Sequence, residues 1–391
     1  MKYVLVLAGL SMVCPMVWAV GIKLEDNLTI VTSQTTLPIA FPEQAEKRDN
    51  PASMLSETSS LRAVQVRGTS DGTIVVVYPA ARDQEVGVLR INRRNEVVGP
   101  ELRIAVSGAF QDFVVHEDGA IALLVRTDHS FNLIKVDGSG KTIFSRTIST
   151  GPVRNLYVGN VEWDGSQYVA YFGIRRMFDW EWHDGNTGVE VSSDGSRLRT
   201  RSNFDWTCSH SIDQRIINLG DRLEWLCSKD AFSPGLWYAG IRVASYWGDA
   251  AGRTGGRIGS AAVSATKVAI AYSVSGYGYV GIYHRNKEDQ KNGTRLATQL
   301  RLKEDGQRSH ESVKVGALGD SHFVYSWREG SGKSRFFRLL DENGNSIGEA
   351  EKLEVPAQPR GDFRTAPNGD MIWAAATDDH TLKIMRLRPP H

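Results

Sequence analysis

The residues best suited to chemistry in this 391-residue chain crowd into one stretch, Phe178 to Cys227. It reads FDWEWHDGNTG from Phe178, FDWTCSHSIDQR from Phe204 and LEWLC from Leu223. Four of the ten tryptophans fall here (Trp180, Trp182, Trp206 and Trp225), with His183, His210, Cys208 and Cys227. Trp rings offer broad apolar faces to a sugar ring or a protein side chain, and neighbouring polar groups orient the ligand through hydrogen bonds. That chemistry selects Trp180, Trp182, His183, Asp184, Trp206, Ser209, His210 and Arg215 as a ligand-binding set. Trp225 sits in a core-like strand, where structural packing is the strongest competing reading.

Two other chemistries compete. His183 and His210 supply two imidazoles and Asp184 a carboxylate, a set suited to a copper-like transition metal ion. The reading preferred to a metal site is that the two histidines, expected close together on loops at one face, orient those loops through hydrogen bonds. A hydrolase or lyase of glycan or ester type would draw on His183, Asp184, His210 and Arg215. Ser209 and His210 do not make a nucleophile and its base, because neighbouring residues on a strand face opposite ways. No Gly-x-Ser-x-Gly occurs, and SSDGSRLRT at Ser192 to Thr200 is only distantly similar to an Asp-box turn. The Gly-rich GRTGGRIG at Gly252 to Gly259 lacks the strand-to-helix setting of a phosphate loop and reads as a connection. With no complete catalytic constellation, the favoured reading is a non-enzymatic module binding a glycan or protein ligand.

One resemblance bears on this stretch. His183-Asp184-Gly185-Asn186, followed by Trp206-Thr207-Cys208-Ser209-His210-Ser211, resembles a motif of uncharacterised exported bacterial β-propeller-like repeat proteins. In these a His-x-Gly-Asp/Asn element precedes Trp-x-Cys-Ser-His-Ser. The resemblance implies a shared local structure and carries no activity with it.

The N-terminus supports export. Lys2 supplies a positive start, Val4 to Val17 is nearly all apolar, and Val17-Trp18-Ala19 offers a cleavage site. Residues 1–19 are therefore expected to be a signal peptide, and the protein to be secreted or periplasmic. The apolar run is short for a membrane span, so none is expected after cleavage. Cleavage removes Cys14 and leaves Cys208 and Cys227, which an oxidising compartment would join as a disulfide. Lys and Arg number 46 against 45 Asp and Glu, and this balance argues against nucleic acid as a partner.

The elements that must position these residues are short strands. TIVVVY (Thr73), AIALLV (Ala120), YVAYF (Tyr168), LEWLC (Leu223), VAIAY (Val268), HFVYSW (His322) and MIWAA (Met371) recur at roughly 45 to 55 residues, the spacing of propeller blades. Most follow a turn pair such as Asp71-Gly72, Asp118-Gly119, Asp164-Gly165 or Asn368-Gly369. Gln111 to Thr147 reads as four strands joined by tight turns, one whole blade. Units start near Leu61, Gln111, Val153, Asp205, Gly256, Ser309 and Gly361, and helical periodicity is absent. The expected fold is all-β: a β-propeller of seven four-stranded blades over residues 61–391. Residues 20–60 read as an N-terminal arm whose strand at Leu28 to Thr32 would complete the last blade, beside TLKIMRL at Thr381 to Leu387, or else as a disordered leader.

Overall fold

A strand that is apolar at every position needs neighbours on both of its faces. The computed structural model meets that need with seven antiparallel sheets arranged in a ring. It describes residues 17–25, 28–38, 64–80, 84–148, 153–178, 180–208, 214–229, 235–245, 257–274, 277–285, 296–301, 310–329, 335–353, 362–378 and 381–389.

An N-terminal hairpin, β1 (Val17–Glu25) and β2 (Leu28–Pro38), comes first. Blade one is β3 (Gln65–Gly68), β4 (Ile74–Pro79), β5 (Glu85–Ile91) and β6 (Leu102–Ala105). Blade two is β7 (Ala109–Val115), β8 (Ile121–Arg126), β9 (Phe131–Val136) and β10 (Thr142–Ile148). Blade three is β11 (Val153–Trp163), β12 (Gln167–Phe178), β13 (Glu181–Ser192) and β14 (Leu198–Thr200). Blade four is β15 (Gln214–Asn218), β16 (Leu223–Lys229), β17 (Gly235–Tyr238) and β18 (Ile241–Ser245). Blade five is β19 (Arg257–Val263), β20 (Lys267–Val274), β21 (Tyr277–His284) and β22 (Leu296–Arg301). Blade six is β23 (His310–Leu318), β24 (His322–Glu329), β25 (Arg335–Asp341) and β26 (Ser346–Leu353). Blade seven is β27 (Arg364–Thr365), β28 (Met371–Asp378) and β29 (Thr381–Leu387).

The first strands of successive blades touch one another around the axis, from β3 through β27 and back to β3. β2 joins blade seven from the other end of the chain, pairing Thr32 with Leu387 and Pro38 with Thr381. The ring is thus closed by strand pairing between sequence-distant segments, which removes two open sheet edges. β1 lies outside β2 as a fifth strand, and its ladder crosses the Ala19–Val20 bond. The remainder of the arm, residues 39–63, lies outside the described residues.

Seven apolar clusters fill the seven gaps between blades. Strand β4 shows the logic. Val75 and Val77 pack toward blade two, and Ile74, Val76 and Tyr78 toward blade seven. Alternation along the strand thus feeds two cores at once. The last strand of each blade needs less apolar character, and β10 is exposed or half-exposed until Ile148. The turn pairs seen in the sequence join the first and second strands. Gly72, Gly119, Gly165 and Gly369 occupy them at φ 82°, 81°, 98° and 85°, a region that costs other residues about 1 kcal/mol or more.

Two boundaries move from the expected positions. Blade four begins at Gln214 rather than at Asp205, because the Trp206 segment packs on blade three instead. Arg257 and Gly259, expected in a connection, belong to β19. A Cβ on Gly259 would meet the Val313 carbonyl oxygen, so that strand needs glycine to approach its neighbour.

Candidate functional site: the blade-three hairpin and the central axis

Strands β12 and β13, of twelve residues each, form the longest hairpin in the ring. Their register runs unbroken from Gln167↔Ser192 to Phe178↔Glu181. Two residues separate the paired strands, and the second, Trp180, has φ 73° and is 96% exposed. A bulky residue in left-handed backbone costs about 1–2 kcal/mol. Strain of this kind at an exposed aromatic is a mark of a functional position. Met177 is also exposed.

His183 lies within β13 and not on a loop, which corrects the sequence expectation and separates the candidate residues. Alternation puts Trp182 and Asp184 on one face of the hairpin and His183 on the other. Trp182 pairs across the ladder with Met177, Asp184 with Arg175, and His183 with Arg176. Asp184 accepts a hydrogen bond from the Tyr157 hydroxyl at 2.5 Å and has Arg175 at 4.0 Å. His183 has Glu181 at 3.7 Å on its own face.

Trp206 shares the His183 face, but not as an open platform. The Arg176 guanidinium covers its ring at 4.2 Å. On Gly185 a Cβ would come within 2.8 Å of the ring. The segment carrying it is tied down along β13. Arg201 N–H donates to the Gly188 carbonyl at 2.8 Å and Trp206 N–H to the Asn186 carbonyl at 2.7 Å. Thr187 Oγ1 donates to Asp205 at 2.7 Å, and Phe204 fills the space above Gly188. The chain then turns away at Trp206, whose φ is 55°. Trp206 is therefore a clamp that fixes the base of the hairpin.

Cys208 follows directly and stands at disulfide distance from Cys227 of β16, with the Cα atoms 6.4 Å apart. Both are fully buried in the cluster between blades three and four, where Trp225 is also buried. Ser209 and His210 lie outside the described residues. Among the described residues no group of three or more His, Cys, Asp or Glu is arranged to hold a metal ion.

Arg215 belongs elsewhere. It is buried on the first strand of blade four, and its Nε donates to Asp362 Oδ2 at 2.7 Å. Asp362 precedes β27, so the pair spans the ring from blade four to blade seven. Arg215 is one of a belt. Each blade carries a polar residue four positions before the residue that opens its first turn (Thr69, His116, Asp164, Leu219, Ser264, Leu318 and Ala366). These are Gln65, Asp112, Asn160, Arg215, Ser260, Lys314 and Asp362, all buried. In blades two, five and six a β-bulge directly precedes the belt residue and re-aims the strand there. Ser260 Oγ donates to the Val315 carbonyl at 2.8 Å, Asn160 Nδ2 to the Gln214 carbonyl at 2.9 Å, and Lys314 Nζ to the Gly259 carbonyl at 2.8 Å.

A second tier completes the axis. Arg67 of blade one donates to Glu162 of blade three and to the Phe113 carbonyl, and lies 3.4 Å from Asp112 of blade two. Arg364 of blade seven stands 3.6 Å from Glu162 and 3.9 Å from Asp112. Burial works to lower the pKa of Arg67, but the adjacent Glu162 and Asp112 carboxylates raise it above the ordinary guanidinium value. The axis is thus plugged by ion pairs that tie non-neighbouring blades together. Of this network only Arg215 was singled out from sequence. The readable signal was a polar residue at one fixed place in every first strand: QVR, QDF, NVE, QRI, GSA, VKV and DFR.

Ring, velcro strand and hairpin together define a seven-bladed β-propeller. The chain is similar in fold to the WD40 domain of coronin from Toxoplasma gondii, with a TM-score of 0.52, 10% identity, and 96% of this chain and 87% of that chain covered. It is likewise similar to an oligogalacturonate lyase in complex with manganese, with a TM-score of 0.50, 10% identity, and 95% and 96% covered. No protein-family model matches the chain, and no curated protein matches it.

Proposed function

We propose that this protein is an exported, non-enzymatic binding module that docks a glycan or protein ligand on the blade-three hairpin. The observation that carries the reading is the projecting hairpin tip, where Trp180 is held in left-handed backbone and almost wholly exposed. Trp182 and Met177 continue the apolar surface, and Arg175 and Asp184 supply polar groups on the same face. The propeller beneath contributes rigidity, with its axis filled by ion pairs. The export reading rests on the charged and apolar N-terminus and on the buried Cys208–Cys227 pair. Cleavage after Ala19 leaves Val20–Glu25 to pair with β2 and leaves the β2–β29 ladder whole.

The test is Trp180→Ala, assayed against immobilised glycans and against linear peptides. Ligand binding should fall at least tenfold with the melting temperature unchanged, since the Trp180 side chain is almost wholly exposed. A ligand that binds both proteins equally would remove the hairpin from the site.

A further inference from the structure

We propose that the outer edge of β13 at Trp182–Asp184 receives an extended peptide from a partner protein as an added strand. This rests on the hairpin being the ligand-binding surface and names how it binds.

In an antiparallel ladder, alternate residues direct their N–H and C=O to one neighbour and then to the other. The carbonyls of Asn186 and Gly188 point away from β12, because they accept from Trp206 and Arg201. The register is unbroken, so Asp184 and Trp182 direct their backbone groups the same way. β14 covers only Val189 to Val191, and the Arg201–Trp206 segment covers Gly188 and Asn186. Past Trp206 the chain departs. The outward groups of Trp182 and Asp184 have no backbone partner among the described residues.

Proteins commonly shield such an edge with charge, proline or a covering segment. Among the described residues the ladder is covered up to Asn186, and no strand lies beside Trp182 and Asp184 beyond it. Its free donors and acceptors recur every second residue, about 7 Å apart, which is the repeat of another strand. An extended backbone continues the line that Arg201 and Trp206 already follow. The partner residue opposite Trp182 would share a face with Trp182 and Met177, which calls for an apolar or aromatic side chain there. Main-chain bonds would give affinity and that side chain specificity.

The experiment uses the full processed chain and a phage library of random linear peptides. Amide hydrogen exchange is measured with and without the enriched peptide, and affinity is measured for Trp180→Ala, Asp184→Ala and Asp184→Pro. Of the backbone groups, proline at 184 removes only an outward N–H, the placement that edge strands tolerate, and Asp184→Ala, which equally lacks the carboxylate bonded to Tyr157, is the reference against which its binding is read. The amides of Trp182 and Asp184 should exchange fast in the free protein and become protected on binding, and Asp184→Pro should weaken binding at least tenfold relative to Asp184→Ala. If that variant does not fold, protection of the two wild-type amides decides alone. Absence of any enriched peptide, or binding without protection at 182 and 184, overturns strand addition. A glycan that is lost with Trp180→Ala but bound by Asp184→Pro overturns strand addition and leaves the hairpin site standing. Ligands indifferent to Trp180→Ala overturn both.

Discussion

Replacing Arg67 by Met tests whether the axial ion pairs hold the ring. The side chain is 14% exposed, and its partners Asp112 and Glu162 are 1% and 10% exposed. Removing the cation leaves two buried carboxylates with Arg364 no nearer than 3.6 Å. Removing one partner of a buried pair costs about 3–5 kcal/mol, and Arg364 places the expectation toward the lower end. Unfolding entropy near 2.1 cal/mol/K per residue over about 330 residues is roughly 0.7 kcal/mol/K, so that loss lowers Tm by about 4–7 °C. Scanning calorimetry reads it directly. Adding Glu162→Gln neutralises one orphaned carboxylate and should return about 1–3 kcal/mol. A single variant melting within about 1 °C of wild type, or a double variant less stable than the single, would refute the idea that these charges carry closure.

Four further outcomes follow from the geometry. Gly185→Val should push Trp206 off the hairpin, costing about 1–3 kcal/mol and red-shifting the tryptophan emission. Cys208→Ser with Cys227→Ser should cost about 3 kcal/mol for a loop of this length, and Ellman titration of the unfolded, non-reduced wild-type protein should find no free thiol. Acid should destabilise the fold through its turns. Hydrogen bonds from Thr69, Ser139 and Ser192, joined by backbone amides, lower the pKa values of Asp71, Asp137 and Asp194 below the unfolded 3.8. Their stabilisation is therefore complete above about pH 4 and is lost as pH falls through the folded values, which a pH series of melting curves would show as a steady fall in Tm. Deleting residues 20–38 should open blade seven and expose β29, giving concentration-dependent association by light scattering.

The fold was legible because its signals are local and repeated. TIVVVY and AIALLV are apolar at successive positions because each lies between two blades, and their spacing counted the blades. The closing strand was legible because Leu28 to Thr32 is a strand outside the seven units and the last unit ends at TLKIMRL. The candidate site was less legible. Richness in Trp marked the segment that holds the long hairpin, but not that Trp206 would be covered by Arg176, because that contact joins residues thirty positions apart. Reading His183 as a loop residue failed because β13 continues through His-Asp-Gly-Asn as an ordinary ladder, despite turn-prone composition. Arg215 was grouped with its sequence neighbours, whereas its partner Asp362 lies 147 residues away.

That separation of Arg215 from the tryptophans divides the labour within one motif. The segment Phe204 to Arg215 leaves blade three, whose hairpin it clamps with Phe204 and Trp206. It pins itself to blade four through Cys208 and enters the axis at Arg215. One connection thus couples a projecting hairpin to the ion-paired axis of the ring. A hairpin with an open edge and an exposed tryptophan invites disorder or aggregation unless its base is fixed. The fixing residues must then be conspicuous in sequence without touching the ligand. Trp206→Ala should accordingly lower stability and loosen the hairpin, while Trp180→Ala should remove binding alone, and it is the contrast between the two variants that separates clamp from contact.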